Sequence, residues 1–133
     1  VYCGDSPSSP VSFTMSPTRV AYLLFAVAGL CMTWYYNLQF IEDSGGTFSV
    51  SEFVAAGATN AAAKSLSWDL GIACLTGLFW MFLEARKLQL LRWYPVFFLL
   101  TFGVAFAFAF PLFLFVRQTI LEAGERAVGE GRG

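Results

Sequence analysis

Three long apolar stretches, almost free of charge, constrain this chain more than any other feature. Val20 to Ile41 holds 22 residues without a charged side chain, Leu70 to Leu83 holds 14, and Trp93 to Val116 holds 24. At 1.5 Å of rise per residue, about 20 apolar residues cross the ~30 Å hydrocarbon core, so the first and third stretches suffice alone. The second suffices when extended back to Ser65, with Asp69 near the headgroups. Charged residues make up only 13% of the chain, about half the share found in soluble domains. The predicted fold class is all-α: an integral membrane protein with three transmembrane helices and a short interfacial helix between the first two.

Three regions follow. Residues 1–18, with Pro7, Pro10 and Pro17 among several serines, read as a flexible Ser/Pro-rich lead-in. Residue 1 is Val, so the chain reads as a processed or truncated form, and the first 19 residues hold a single basic residue and no short apolar core, so no signal peptide is expected there. Residues 19–118 form the transmembrane domain, and residues 119–133 a polar C-terminal tail.

Within the domain, the first helix is expected from Thr18 or Arg19 to Phe40, ending in an interfacial aromatic anchor of Trp34, Tyr35 and Tyr36. Phe48 to Gly57 predicts a surface helix capped by Ser49 or Ser51, with Val50, Phe53 and Val54 on one face. Asn60 to Lys64 reads as a connector. The second spanning helix is expected from Ser65 or Ser67 to Arg86–Leu88. The third starts at Pro95, a residue suited to a first helical turn, and kinks at Pro111.

Charge sets the expected topology. The second loop has Arg86, Lys87 and Arg92 against Glu84, and Arg19 precedes helix one; the first loop has Glu42, Asp43 and Glu52 against Lys64. By the positive-inside rule the N-terminus and second loop share the cytoplasmic, matrix or stromal side. The first loop and the C-terminal tail are expected on the other side.

Residues with chemical potential are few. The absence of His removes the commonest general base and metal ligand. No phosphate-binding glycine loop, nucleophile–base pair or Cys/His metal spacing is present, so no enzyme and no metal site are expected. Cys31 and Cys74 read as small packing residues. The net charge of −1 gives no reason to expect nucleic acid.

Asp69 is the one acid inside an expected span, and intramembrane acids are candidate ion or proton sites. Its alternative reading is structural: a first-turn carboxylate, paired with Arg117 if helices two and three run antiparallel. Glu84, beside Arg86 and Lys87, is a candidate chlorophyll-magnesium ligand if an arginine neutralises it; otherwise it is a snorkelling interfacial charge. Asn37 and Gln39 offer carbonyl oxygens for a hard cation. Phe102, Phe106, Phe110 and Phe113 form one stripe at helical spacing, whose flat rings suit lipid, carotenoid or chlorin. Gly103 with Ala107, Ala105 with Ala109, and Ala73 with Gly77 are small pairs that permit close helix approach. Glu–Arg pairs deep in the membrane, of the kind light-harvesting proteins use, are not expected.

Several segments together have the look of a known pattern. These are Trp34-Tyr35-Tyr36-Asn37-Leu38-Gln39-Phe40, the run from Phe53 to Asn60, Trp68-Asp69, Glu84-Ala85-Arg86-Lys87-Leu88, and Phe110-Pro111-Leu112-Phe113-Leu114-Phe115-Val116-Arg117. In them the chain, from Val20 to Gln118, resembles an uncharacterised family: small three-helix membrane proteins of bacteria, cyanobacteria and plastid-bearing eukaryotes, catalogued as a domain of unknown function. The resemblance implies a fold and no activity.

It also implies a location. The expected role is a non-catalytic accessory subunit of a photosystem–light-harvesting supercomplex in the chloroplast thylakoid membrane, with N-terminus and second loop on the stromal side. Its expected contacts are lipid, photosystem core or antenna proteins, chlorophyll and carotenoid, and no soluble substrate. The alternatives are an accessory subunit of a respiratory or dehydrogenase complex, or a small transporter or channel regulator using Asp69.

Overall fold

The computed structural model describes residues 15–132, so nearly all of the expected lead-in, residues 1–18, lies outside the described part. Five helices account for the fold: α1 (Pro17–Asp43), α2 (Val50–Ala56), α3 (Ala61–Lys87), α4 (Tyr94–Gly103) and α5 (Phe106–Glu130). Three of them, α1, α3 and α5, are long and apolar enough to cross a membrane. The protein is thus an all-helical integral membrane protein.

The helix starts follow from local chemistry. Ser16 caps α1, its hydroxyl accepting from the Arg19 amide, and Pro17 supplies the preset φ of a first turn. Asn60 caps α3 through an Ala63 amide bond of 2.9 Å, and three alanines propagate it. The expected connector from Asn60 to Lys64 is therefore the first turn of α3, which begins four residues before Ser65. α1 ends where Gly45 and Gly46 adopt left-handed φ values of 78° and 88°, letting the Gly46 amide bond the Ile41 carbonyl at 2.9 Å.

The interfacial segment is helical as expected, with Ser49 accepting from the Glu52 amide. Phe40 meets Phe48 and Phe53 edge-on at 6.4 and 5.3 Å, and those two rings lie tilted at 5.8 Å, a cluster that fastens α2 to the end of α1. The Ser67 hydroxyl donates to the Gly57 carbonyl at 2.9 Å, fastening α2 to the start of α3.

The third apolar stretch departs from expectation. It is not one helix kinked at Pro111 but two, broken between Gly103 and Phe106, where Ala105 is fully extended (φ −179°, ψ 144°). The chain turns back on itself there. Phe97 of α4 meets Phe113 of α5 edge-on at 5.2 Å, whereas a continuous helix would hold residues 16 apart at about 24 Å. At the tip the Leu100 carbonyl accepts from both the Val104 and Ala105 amides, and the Ala105 carbonyl from Phe108 and Ala109. This satisfies most backbone groups at a depth where water is scarce.

The reversal fixes the direction of α5. Gly77 meets the Phe106 ring, Trp80 meets Phe110 and Phe113, and Glu84 meets Arg117, so α5 runs parallel to α3. Against α1 it runs antiparallel, with Gly29 at Ala107, Arg19 over Phe115 and Ser16 at Glu122. The expectation that the N-terminus and C-terminal tail lie at opposite ends is corrected: Glu122 lies beside Ser16 and Arg19. The expected tail is also helical as far as Glu130. Cysteines introduced at Met15 and Ala127, in a background free of native cysteine, should react with an impermeant maleimide from one and the same side of sealed vesicles. Labelling from opposite sides would contradict this fold.

The core is small: Leu78, Met81, Ala85, Phe97 and Phe113, with Trp80, Tyr94 and Phe110 packed around them. α1 joins this core only through α5, by a backbone approach. Pro111 lacks the amide that would bond the Ala107 carbonyl, and Gly29 packs directly on that carbonyl. A Cβ at Gly29 would overlap it, while one at Gly71 would meet nothing within 4 Å. Gly29→Ala should therefore cost about 1–3 kcal/mol of unfolding stability in detergent by forcing the helices apart. Gly71→Ala should be neutral or stabilising, by up to about 1 kcal/mol.

Candidate functional site

Polar side chains converge at one end of the bundle, where α3 ends, α5 passes and α1 begins. Glu84 sits in the last turn of α3 and is 8% exposed. Its Oε2 accepts from Arg117 Nε at 2.8 Å, and its Oε1 from Lys87 Nζ at 3.1 Å. The Arg117 guanidinium in turn lies 5.6 Å from the Trp80 ring centroid, a favourable place for a cation. Lys87 adds little, because its side chain is 72% exposed and such pairs contribute under about 1 kcal/mol.

A second polar group adjoins the first. Glu122 accepts from the Ser16 hydroxyl and from Gln118 Nε2 at 3.1 Å, and it pairs with Arg19 at 3.7 Å. Arg19 also covers the Phe115 ring at 5.3 Å, while its Nε is buried without a hydrogen-bond partner. The two groups link α3 to α5 and α5 to α1 by charge, in the same half of the bundle that holds the apolar core.

The expected pair of Asp69 with Arg117 is not formed. Arg117 belongs to Glu84, and Asp69, 15 residues earlier on α3, stands about 22 Å further along the helix axis. The reason is direction: a parallel α5 brings Arg117 to the C-terminal end of α3, not to its start. Asp69 is not a first-turn residue either, since α3 begins at Ala61. It is exposed, with no ion-pair partner among the described residues.

The other candidates are scattered. Asn37 is half-buried and Gln39 exposed, on the half of α1 remote from Glu84. Phe102 is exposed on α4 beside Phe98, at 5.0 Å. Phe106 and Phe110 stack at 5.3 Å on α5, and Phe113 is fully buried. The stripe expected on one helix is thus divided by the hairpin. Of the small pairs, Gly77 does permit a close approach, of the Phe106 ring, but Gly103 faces open space.

The Glu84 carboxylate was a candidate magnesium ligand, and the structure does supply the neutralising arginine. It brings together a Glu and an Arg from different helices, at the end of the bundle and not deep within the apolar runs. Both carboxylate oxygens are occupied by cations, however, and burial leaves no open face for a macrocycle. Glu84 does not fit an axial ligand. Among the described residues, no three His, Cys, Asp or Glu side chains cluster as a metal site would require.

Sequence reading missed Arg19, Glu122 and Gly29. The available signal for the first two was the pair Ile120-Leu121, which continues the apolar pattern of α5 beyond Arg117 and implies another turn of packing. Removing Arg117 leaves the buried carboxylate with only the exposed Lys87 as a partner, so Arg117→Leu should lose about 2 kcal/mol of stability, below the ~3–5 kcal/mol of a dry pair. Lys87→Ala should change it by under about 0.5 kcal/mol. A Glu84→Gln/Arg117→Leu double-mutant cycle in dodecyl maltoside measures the coupling, and a value near zero would contradict the assignment.

The model of the family described as "Protein of unknown function DUF2834" matches residues 21–119. Neither a curated protein nor a solved structure matches the chain.

Proposed function

The chain belongs to this family of unknown function, and we propose, from its own geometry, that it is a non-catalytic accessory subunit of a larger membrane complex. One observation carries this reading: the spanning helices bury very little of themselves. Ala26 is the single buried residue of α1 among those described, and Leu24, Phe25, Met32, Leu66, Leu75 and Phe79 are all more than 60% exposed. α1 packs chiefly on α5, so among the described residues the halves of α1 and α3 beyond the hairpin tip have little beside them but the short α2. Helix association in lipid rests on shape and polar contacts rather than hydrophobicity, and these long unmatched faces offer shape to a neighbour.

The more specific form of the proposal is a photosystem–light-harvesting supercomplex of the thylakoid membrane, with the second loop toward the stroma. Its support is the outward aromatic surface of Phe98 and Phe102, suited to a chlorophyll or carotenoid ring, together with the resemblance noted from sequence. Glu84 plays no ligand part in it. A respiratory or dehydrogenase complex would use the same surfaces against lipid and protein alone. The third reading, a transporter or channel regulator, is favoured by one observation, the exposed Asp69 with no ion-pair partner among the described residues.

Affinity purification of the tagged chain from its native membrane in mild detergent tests the proposal. The expected result is comigration with a complex many times its 14.7 kDa mass, and the absorption spectrum of that complex distinguishes a pigmented from a respiratory partner. A colourless protein migrating alone would overturn the proposal. An ion flux abolished by Asp69→Asn, with the fold intact, would transfer the assignment to transport.

A further inference from the structure

The α4 hairpin creates a feature that neither the packing nor the proposed role uses. Between α4 and α5 lies a cleft of about 280 Å³ walled by Leu90, Trp93, Val96, Leu100, Leu112 and Val116. Leu90 and Trp93 form its rim beside the α3–α4 loop, and Leu100 and Leu112 its floor near the hairpin tip. Rim to floor spans seven residues of α4, about 10 Å, and the whole wall is apolar.

The rim is cationic. From Ala85 to Leu121 the chain contains no acidic residue, while Arg86, Lys87, Arg92 and Arg117 all fall within that run. The one nearby acid, Glu84, is already bound to Arg117 and Lys87. Arg86 and Arg92 therefore form no ion pair among the described residues. The Arg92 guanidinium rests 5.5 Å from the Trp93 ring centroid, which places positive charge at the mouth of the cleft. Arg86 lies 6.0 Å from the Phe82 ring at the same end of the bundle.

An apolar slot with unneutralised arginine at its mouth matches an amphiphile with a hydrocarbon tail and an anionic head. A zwitterionic lipid brings its own cation to a site that already has an excess. We propose that the cleft holds one acyl chain of an anionic diacyl lipid from the surrounding bilayer, with its headgroup on Arg92. Basic pockets at helix ends recognise such headgroups through the same electrostatics. The site does not depend on which complex the chain joins.

Trp93 reports directly on the occupant. The protein is reconstituted in phosphatidylcholine vesicles containing equal mole fractions of either dibrominated phosphatidylglycerol or dibrominated phosphatidylcholine. The Trp93 signal is the difference between the native protein and Trp93→Phe. Quenching by the glycerol lipid should exceed that by the choline lipid about fivefold, the preference expected for one surface arginine. Arg92→Gln, an exposed substitution, should reduce the ratio toward one, and Leu112→Phe should remove the quenching while helix content by circular dichroism is unchanged. Equal quenching by the two lipids would reveal only annular contact and overturn the proposal. A preference that survives Leu112→Phe would overturn the cleft as its seat.

Discussion

Glu84 and Arg117 meet at 2.8 Å across two helices, and the course of the last third of the chain depends on that meeting. For Arg117 to reach the C-terminal end of α3, α5 must run parallel to α3. Helices adjacent in sequence and joined by a short loop are ordinarily antiparallel, so a further reversal is needed between them. α4 supplies it, reaching to about midway along α1 and turning at Val104–Ala105. Burying a carboxylate beside hydrocarbon is unfavourable unless it is paired. The hairpin gives it a guanidinium, and the guanidinium gains the face of Trp80.

Much of the fold is legible in the residues because charge and caps punctuate it. Glu42 and Asp43 close α1, Arg86 and Lys87 close α3, and Ser49 opens α2, so three helices can be drawn from sequence to within a few positions. The start of α3 is less visible because Asn60 serves equally as a loop residue or a cap. The alanines after it decide the matter through helix propensity, a weak signal beside hydropathy. From Trp93 to Val116 sequence reading fails for a different reason. Twenty-four uncharged residues satisfy one membrane crossing, and hydropathy is blind to a turn made within them. The edge-on contact of Phe97 with Phe113, rather than any local preference, makes the reversal favourable, and contacts between residues so far apart leave no periodicity to read.

The candidate site suffers from the same blindness. Glu84 and Arg117 are each conspicuous as charges flanking apolar runs, yet their partnership follows only from helix direction. An antiparallel arrangement would bring Arg117 to Asp69 instead, so one assumption about direction changes both assignments. Phe102 and Phe106 illustrate the point on the apolar side: four residues apart, they fall on one stripe of an unbroken helix, but on different helices once the chain turns between them.

The attachment of α1 has a mechanical consequence. Below the level of Gly29, α1 is clamped by the Ala107 carbonyl, the Phe115–Arg19 stack and the Glu122 bridge. Above it, no α5 residue accompanies the helix, and among the described residues the small α2 bracket connects α1 to α3. The molecule therefore resembles a pair of tongs, stiff at the handle and compliant at the jaws. A change in the separation of its Trp68-bearing and Tyr36-bearing arms would work against the α2 bracket alone and would disturb no ion pair of the described residues.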